Sequence, residues 1–430
     1  MPWFFAAGMA ASLAIAVFGG LLFGAFAATE SGLSHGRWTE TVQAHGDLQL
    51  FGWVAVFVSV VTFEFIIRIN ARGAALPLRG RLFVVSAFAL GAILRAIGQV
   101  WNPELGILWP IGAILIALGS FVFAGLVFSV RPPNAIRDET QPLWLWSASA
   151  WLVLASIAGF AGALRATGGV MALDESRFVV ELMVRGFILT TILGIAVRAF
   201  PGHLGLPMIE RTRHRVLWAM VNASLVIWLL GSGAFFLGDT SLLRQAGDFV
   251  LGIALLLATF WLGLSIVVRN WTTRPYYRAM IPIAWLGLIA YAVALIAAAF
   301  FPGWAERDIF AAGGIRHIFM LGFMAPLMVA MADVILARFG TGKILHERWL
   351  PIGFACLILA WPLRVVLPLF TPDVNMLSHS LYGAAAIFAT AGLGILGWVC
   401  LTNALAMRDL VAARQRAHRE RQRQIIEIVE

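Results

Sequence analysis

The sequence predicts an all-α, polytopic membrane protein of about twelve transmembrane helices, and three observations support that prediction. Of 430 residues, 61% are hydrophobic and only 12% charged, with a mean hydropathy of +0.88. A soluble domain carries roughly 25% charged residues. Apolar runs of spanning length recur along the chain, and about 20 such residues cross the hydrocarbon core as a helix. The runs are too long for barrel strands, and only helices or closed barrels satisfy the backbone in lipid.

The runs fall near residues 3–27, 45–68, 81–100, 105–130, 143–166, 178–200, 215–237, 246–269, 279–301, 313–338, 349–370 and 377–403. The first resembles a secretory leader only in Ala25-Phe26-Ala27. It lacks a basic n-region and is too long for a leader's apolar core, so an uncleaved helix is expected. The 42 glycines and abundant alanines suit close helix packing in lipid. Residues 1–403 form the expected membrane domain, and 404–430 a basic helical tail containing RDLVAARQRAHRERQRQ. No internal sequence repeat stands out.

Lysine and arginine set the orientation. With the N-terminus inside, the inner loops and tail collect 22 of them, Arg72, Arg213, Lys343 and Arg421 included. The outer segments hold six: Arg37, Arg165, Arg177, Arg244, Arg307 and Arg316. That bias predicts that both termini are cytoplasmic. It also accounts for the net charge of +9 without a nucleic-acid partner; the partner implied is the lipid bilayer. Cys356 and Cys400 lie in separate apolar runs, outside any CxxC, and read as small buried residues rather than a disulfide or thiolate metal site.

Topology then sorts the eight histidines. His203, His214, His346 and His418 fall in inner loops or the tail, and His35 in the first outer loop. His45, His317 and His379 open the second, tenth and twelfth runs, each within about a turn of the outer boundary. At 1.5 Å per residue their depths should agree within roughly 6 Å. Imidazoles at one depth are what a heme or metal centre needs, so all three are candidate ligands. His45, Gln49 and Gly52 follow i, i+4, i+7 spacing and should share a face, with Gly52 leaving room for a flat ligand. His379 and Gly383 are related in the same way. The stripe of His317, Leu321, Met324, Met328 and Met331 reads as packing rather than a thioether site.

Intramembrane arginines are the second constellation. Arg95, Arg165, Arg185, Arg316 and Arg364 all fall in the outer half of the bilayer. They read either as partners for heme propionates or another anion, or as local ion pairs such as Glu181 with Arg185 at i, i+4. Arg95, Arg316 and Arg364 are the candidate cofactor contacts, and Arg364 is hardest to explain locally. Glu64–Arg68 and Asp333 with Arg338 read as structural pairs near the inner face.

HGDLQLFGW, RAFPGHLGL, RHIFMLGFMAPLMVAMAD and the final SHSLYG helix together resemble the NnrS-like membrane proteins. The family is described as twelve-helix, distantly similar to the large subunit of heme–copper oxidases, and linked to nitric-oxide stress. The resemblance implies a heme–copper-oxidase-like bundle in a bacterial-type inner membrane, binding heme b and copper and serving a small-molecule redox partner. In the family pattern HAHEMLFG, His45, Phe51 and Gly52 match, whereas Asp47 and Leu48 replace a histidine and a glutamate. His317 and Gly322 match the tenth-helix pattern, and Arg198 and Pro201 the sixth. In the oxidase arrangement, helices two and ten carry the low-spin heme ligands, which implies one heme held by His45 and His317.

With only three histidines at this depth and no HxH or adjacent pair, the six ligands of an oxygen-reducing centre are missing. The alternative function is a transporter or permease, for which intramembrane Arg and Glu are suitable but repeated halves are not evident. A third is a sensor or assembly factor acting through its basic tail.

Overall fold

The structure is a computed structural model that describes the chain except residues 1, 22–23, 25–37, 70–75, 103, 131–140, 167–169, 233–240, 264–275, 306–308, 340–343, 371–375 and 430. The described residues form twelve long helices and no sheet. Helix α1 runs Pro2–Ala14 and continues as a π-helical Ile15–Leu21. Helix α2 comprises Trp38–Asp47, a π-helical Leu48–Ala55 and Val56–Ile69. Helices α3 (Leu78–Val100), α4 (Leu108–Phe128) and α5 (Gln141–Arg165) follow. Helix α6 comprises Leu173–Glu181, a π-helical Leu182–Leu189 and Thr190–Leu204. Next come α7 (Arg211–Leu230), α8 (Ser241–Trp261) and α9 (Tyr276–Phe300). Helix α10 comprises Ile309–His317, a π-helical Ile318–Met324 and Ala325–Phe339. Helices α11 (Leu350–Phe370) and α12 (Met376–Val429) complete the chain.

Eleven of these helices are long and apolar enough to span a membrane, as the sequence predicts for a polytopic all-α protein. Helix α7 is the exception among the described residues. Its first turn carries Arg211, Arg213 and Arg215, which lower the hydropathy of a helix that is otherwise of spanning length. Several helices start earlier than their apolar runs. Helix α2 begins at Trp38 rather than 45 and α6 at Leu173 rather than 178, because the polar turns WTETVQAHGD and LDESRFVVE lie below any apolar threshold. The basic tail continues α12 without a break through Val429.

Successive helices pack side by side, and α12 returns to α1, closing the ring. Within it α2, α6 and α10 are the inner helices. In their most apolar stretches 83%, 78% and 78% of residues are buried, against 33–56% for the other candidate spans. The inner helices therefore recur every fourth helix, a periodicity that no sequence repeat reveals. Lipid supplies no hydrophobic drive between helices, so close approach through small residues matters. Gly91 and Gly112 bring α3 against α4, and Gly287 brings α9 against the Gly322 carbonyl of α10, where a Cβ would overlap that oxygen. Gly287→Ala is therefore expected to destabilise the bundle by about 1–3 kcal/mol. Gly394→Ala, with open space around it, should leave the detergent unfolding temperature unchanged.

Candidate functional site

A cavity of about 410 Å³ lies among the inner helices, walled by α1, α2, α3, α6, α10, α11 and α12. Its size falls in the range of small-molecule and cofactor sites. Both His45 and His317 line it. His45 lies seven residues after Trp38 on α2, and His317 eight after Ile309 on α10. They stand about two turns inside their helices rather than at the openings, a correction that follows from the early helix starts.

Both rings are held through Nδ1. His45 Nδ1 lies within hydrogen-bonding distance of the Gly20 carbonyl, and His317 Nδ1 is 2.6 Å from the Gly313 carbonyl. A carbonyl can only accept, so each Nδ1 carries the proton and each Nε2 keeps its lone pair. Metal-ligating histidines almost always hold their other ring nitrogen in this way. Gly24, which the sequence reading did not single out, makes room for His45: a Cβ there would stand 2.7 Å from Cε1 and 2.8 Å from Nδ1 of the ring.

All four described π-helical segments line this chamber. Leu21 belongs to the segment in α1, Gln49 and Phe51 to that in α2, Val184 to that in α6, and Met320 and Leu321 to that in α10. π-bulges cost regular hydrogen bonding and occur mostly at functional sites. They also defeat helical-wheel reasoning, which assumes 3.6 residues per turn. Gly52 does not face the cavity with His45. A Cβ at Gly52 would meet Ile15 at 2.7 Å and Ala92 at 3.3 Å, so this glycine serves the packing of α2 on α1 and α3. Likewise Met320 lines the cavity, whereas Met324 and Met328 are buried in packing.

The arginines divide by partner. Arg95 Nε donates to Asp47 Oδ2 at 2.8 Å, Arg95 Nη2 is 4.0 Å from Met171 Sδ, and the guanidinium lies 5.7 Å from the Phe51 ring centroid. Asp47, read in the sequence as a lost ligand, is thus the counter-charge of an arginine 48 residues away. Arg316 Nε is 3.4 Å from Glu181, which also holds Arg185, and Arg185 donates to Asp248 as well. The i, i+4 pairing of Glu181 with Arg185 is therefore present, within a wider network. Arg165 pairs at the surface with Glu175. Near the other face Glu64 pairs with Arg81 at 3.3 Å.

Arg364 differs from these. It lines the cavity on α11, its guanidinium lies 4.7 Å from the Tyr382 ring centroid, and its Nη1 is buried without a hydrogen-bond partner. No carboxylate pairs with it among the described residues. Such a cation is expensive in the interior of a membrane protein and marks a functional site. Gln99, buried on the α3 side of the same chamber, hydrogen-bonds the Asp47 carboxylate.

A two-way hydrogen bond ties α2 to the segment before α6 at the chamber wall. The Gln43 side chain donates to the Met171 carbonyl at 2.9 Å and accepts from the Met171 amide at 3.0 Å. His379 lies in the first turn of α12, and its side chain is outside the described residues, as are those of Arg68, Asp333 and Arg338. His214, expected in a loop, instead stacks on Trp144 in the first turn of α7.

No protein-family model and no curated protein matches the chain. Fold and cavity together define a polytopic helical membrane protein whose most buried helices enclose a chamber with two lone-pair imidazoles and an uncompensated cation.

Proposed function

We propose that this chain is a heme-binding membrane protein of NnrS-like type, in which His45 and His317 would hold the iron of one b-type heme. The observation that carries the reading is the matched pair of cavity-facing imidazoles, each with Nδ1–H donated to a backbone carbonyl and Nε2 left as a lone pair. The donor set suits heme iron, which imidazole ligates. Heme also brings carboxylates, and Arg364 supplies a buried guanidinium with an unsatisfied nitrogen on the same chamber. Arg316 lines the chamber too, shared with Glu181. Arg95 is committed to Asp47 and is left out of the propionate contacts.

A bound heme supplies one-electron chemistry at its iron. The chain's own part is to set the imidazole tautomers, hold an anion at Arg364 and exclude bulk water. The functional context proposed is nitric-oxide or redox stress in a bacterial-type inner membrane, with both termini cytoplasmic. Oxygen reduction by a heme–copper mechanism is outside the proposal, because the histidine count is too small. His379 and copper are not needed for the single-heme site.

Absorption spectra and metal analysis of detergent-purified protein test the reading. A Soret band with about one iron per chain is expected. Protein that holds no heme and takes up none from hemin overturns it. Arg364→Leu gives a second expected outcome. Hemin affinity falls about tenfold or more, since a charge-assisted hydrogen bond contributes roughly 1.5–3 kcal/mol. The apo protein becomes more heat-stable, because an unpaired buried charge has gone.

A further inference from the structure

A second cavity, of about 190 Å³, adjoins the first and shares Arg177, Ala312 and Arg316 with it. Its wall reaches from Ser241, the first residue of α8, and Pro302, just beyond α9, down to Arg316, one residue from His317. Helix alternation places both Ser241 and Pro302 at the end of the bundle opposite the extended C-terminus of α12. Charged or polar side chains dominate the wall: Glu181, Arg185, Asp248 and Tyr291 join the shared arginines. Glu181 and Arg185 are 4% and 6% exposed. Arg185 Nε and Glu181 Oε2 are 2.6 Å apart and form a buried ion pair, which Asp248 on Arg185 and Arg316 on Glu181 extend along the wall.

Buried groups of this kind are costly unless a partner satisfies them. Water enters a buried space when it is polar, offers two to four partners and exceeds the volume of one molecule, about 30 Å³. The second cavity meets each condition. We propose that it is a water-filled vestibule that connects the aqueous phase at that membrane face with the main chamber, admitting water and small hydrophilic solutes. The Glu181–Arg316 ion pair stands at the partition between the two spaces. The inference holds whatever occupies the main chamber, so its outcome is separable from the heme reading.

Cysteine accessibility tests it. In a C356A/C400A background, Ala298→Cys places a thiol on the vestibule wall, Ala312→Cys one on the shared wall, and Val293→Cys one on the exposed outer face of α9. A charged, membrane-impermeant methanethiosulfonate is added to right-side-out and to inverted vesicles. The thiolate is the reacting species, so a thiol in water reacts and one in hydrocarbon does not. Ala298→Cys and Ala312→Cys should be modified at least about tenfold faster than Val293→Cys, and from one side only. Wild-type elution on size exclusion and full labelling after denaturation verify fold and thiol integrity. Labelling of Ala298→Cys no faster than Val293→Cys overturns the vestibule. Labelling of Ala298→Cys without Ala312→Cys overturns the connection.

Discussion

On the proposed heme site, His45→Ala and His317→Ala are each expected to abolish a low-spin bis-imidazole spectrum and to keep less than about a tenth of the heme bound by the unsubstituted chain. The size follows from the donor set. Loss of an outer-shell partner alone costs about 10–100-fold in metal affinity, and loss of the ligand costs at least as much. His346→Ala is the control, because that imidazole lies tilted against Trp398, with ring centroids 4.2 Å apart, and does not line the chamber. Exogenous imidazole should restore a six-coordinate spectrum in His45→Gly, since Gly24 already leaves space beside the ring. A wild-type spectrum in either alanine variant would sink the assignment of that residue, and in both would sink the site.

That His45 and His317 line one cavity was legible in the sequence because hydropathy marks the spans, and alternation of spans puts the starts of the second and tenth at one end of the bundle. The bundle was legible for the same reason. The faces of the helices were not. Each inner helix carries a π-helical segment, and i→i+5 bonding depends on what packs against the helix rather than on its own residues. Gly52 was therefore assigned to the cavity on a 3.6-residue period that α2 does not keep. Pairings such as Arg95 with Asp47 and Arg185 with Asp248 join helices 48 and 63 residues apart. A usable signal did exist. Asp47 and Arg95 both sit near the outer ends of neighbouring spans, and opposite charges at one depth in lipid are expected to pair. Gly24 had no such signal, since only the position of the His45 ring shows what a side chain there would strike.

Asp47→Leu should be the most destabilising single change near the chamber, by about 3–5 kcal/mol, because it leaves the Arg95 guanidinium buried without its counter-charge. The two side chains are 10% and 3% exposed, so water cannot take over the role of the carboxylate. Arg95→Leu should cost a similar amount by stranding Asp47. The double variant tests the cause. With both charges gone, no ion remains to be desolvated, and replacing a buried pair by apolar groups is often neutral or stabilising. The double-mutant cycle should therefore show a coupling of several kcal/mol and a detergent unfolding temperature near wild type. Additive losses would mean that each residue contributes through its own packing, Arg95 against Phe51 and Met171, and not through the pair. Heme content separates the pair from the ligands. If Asp47 and Arg95 brace α2 against α3 rather than touch the cofactor, the double variant keeps its Soret band, whereas His45→Ala loses it at any stability.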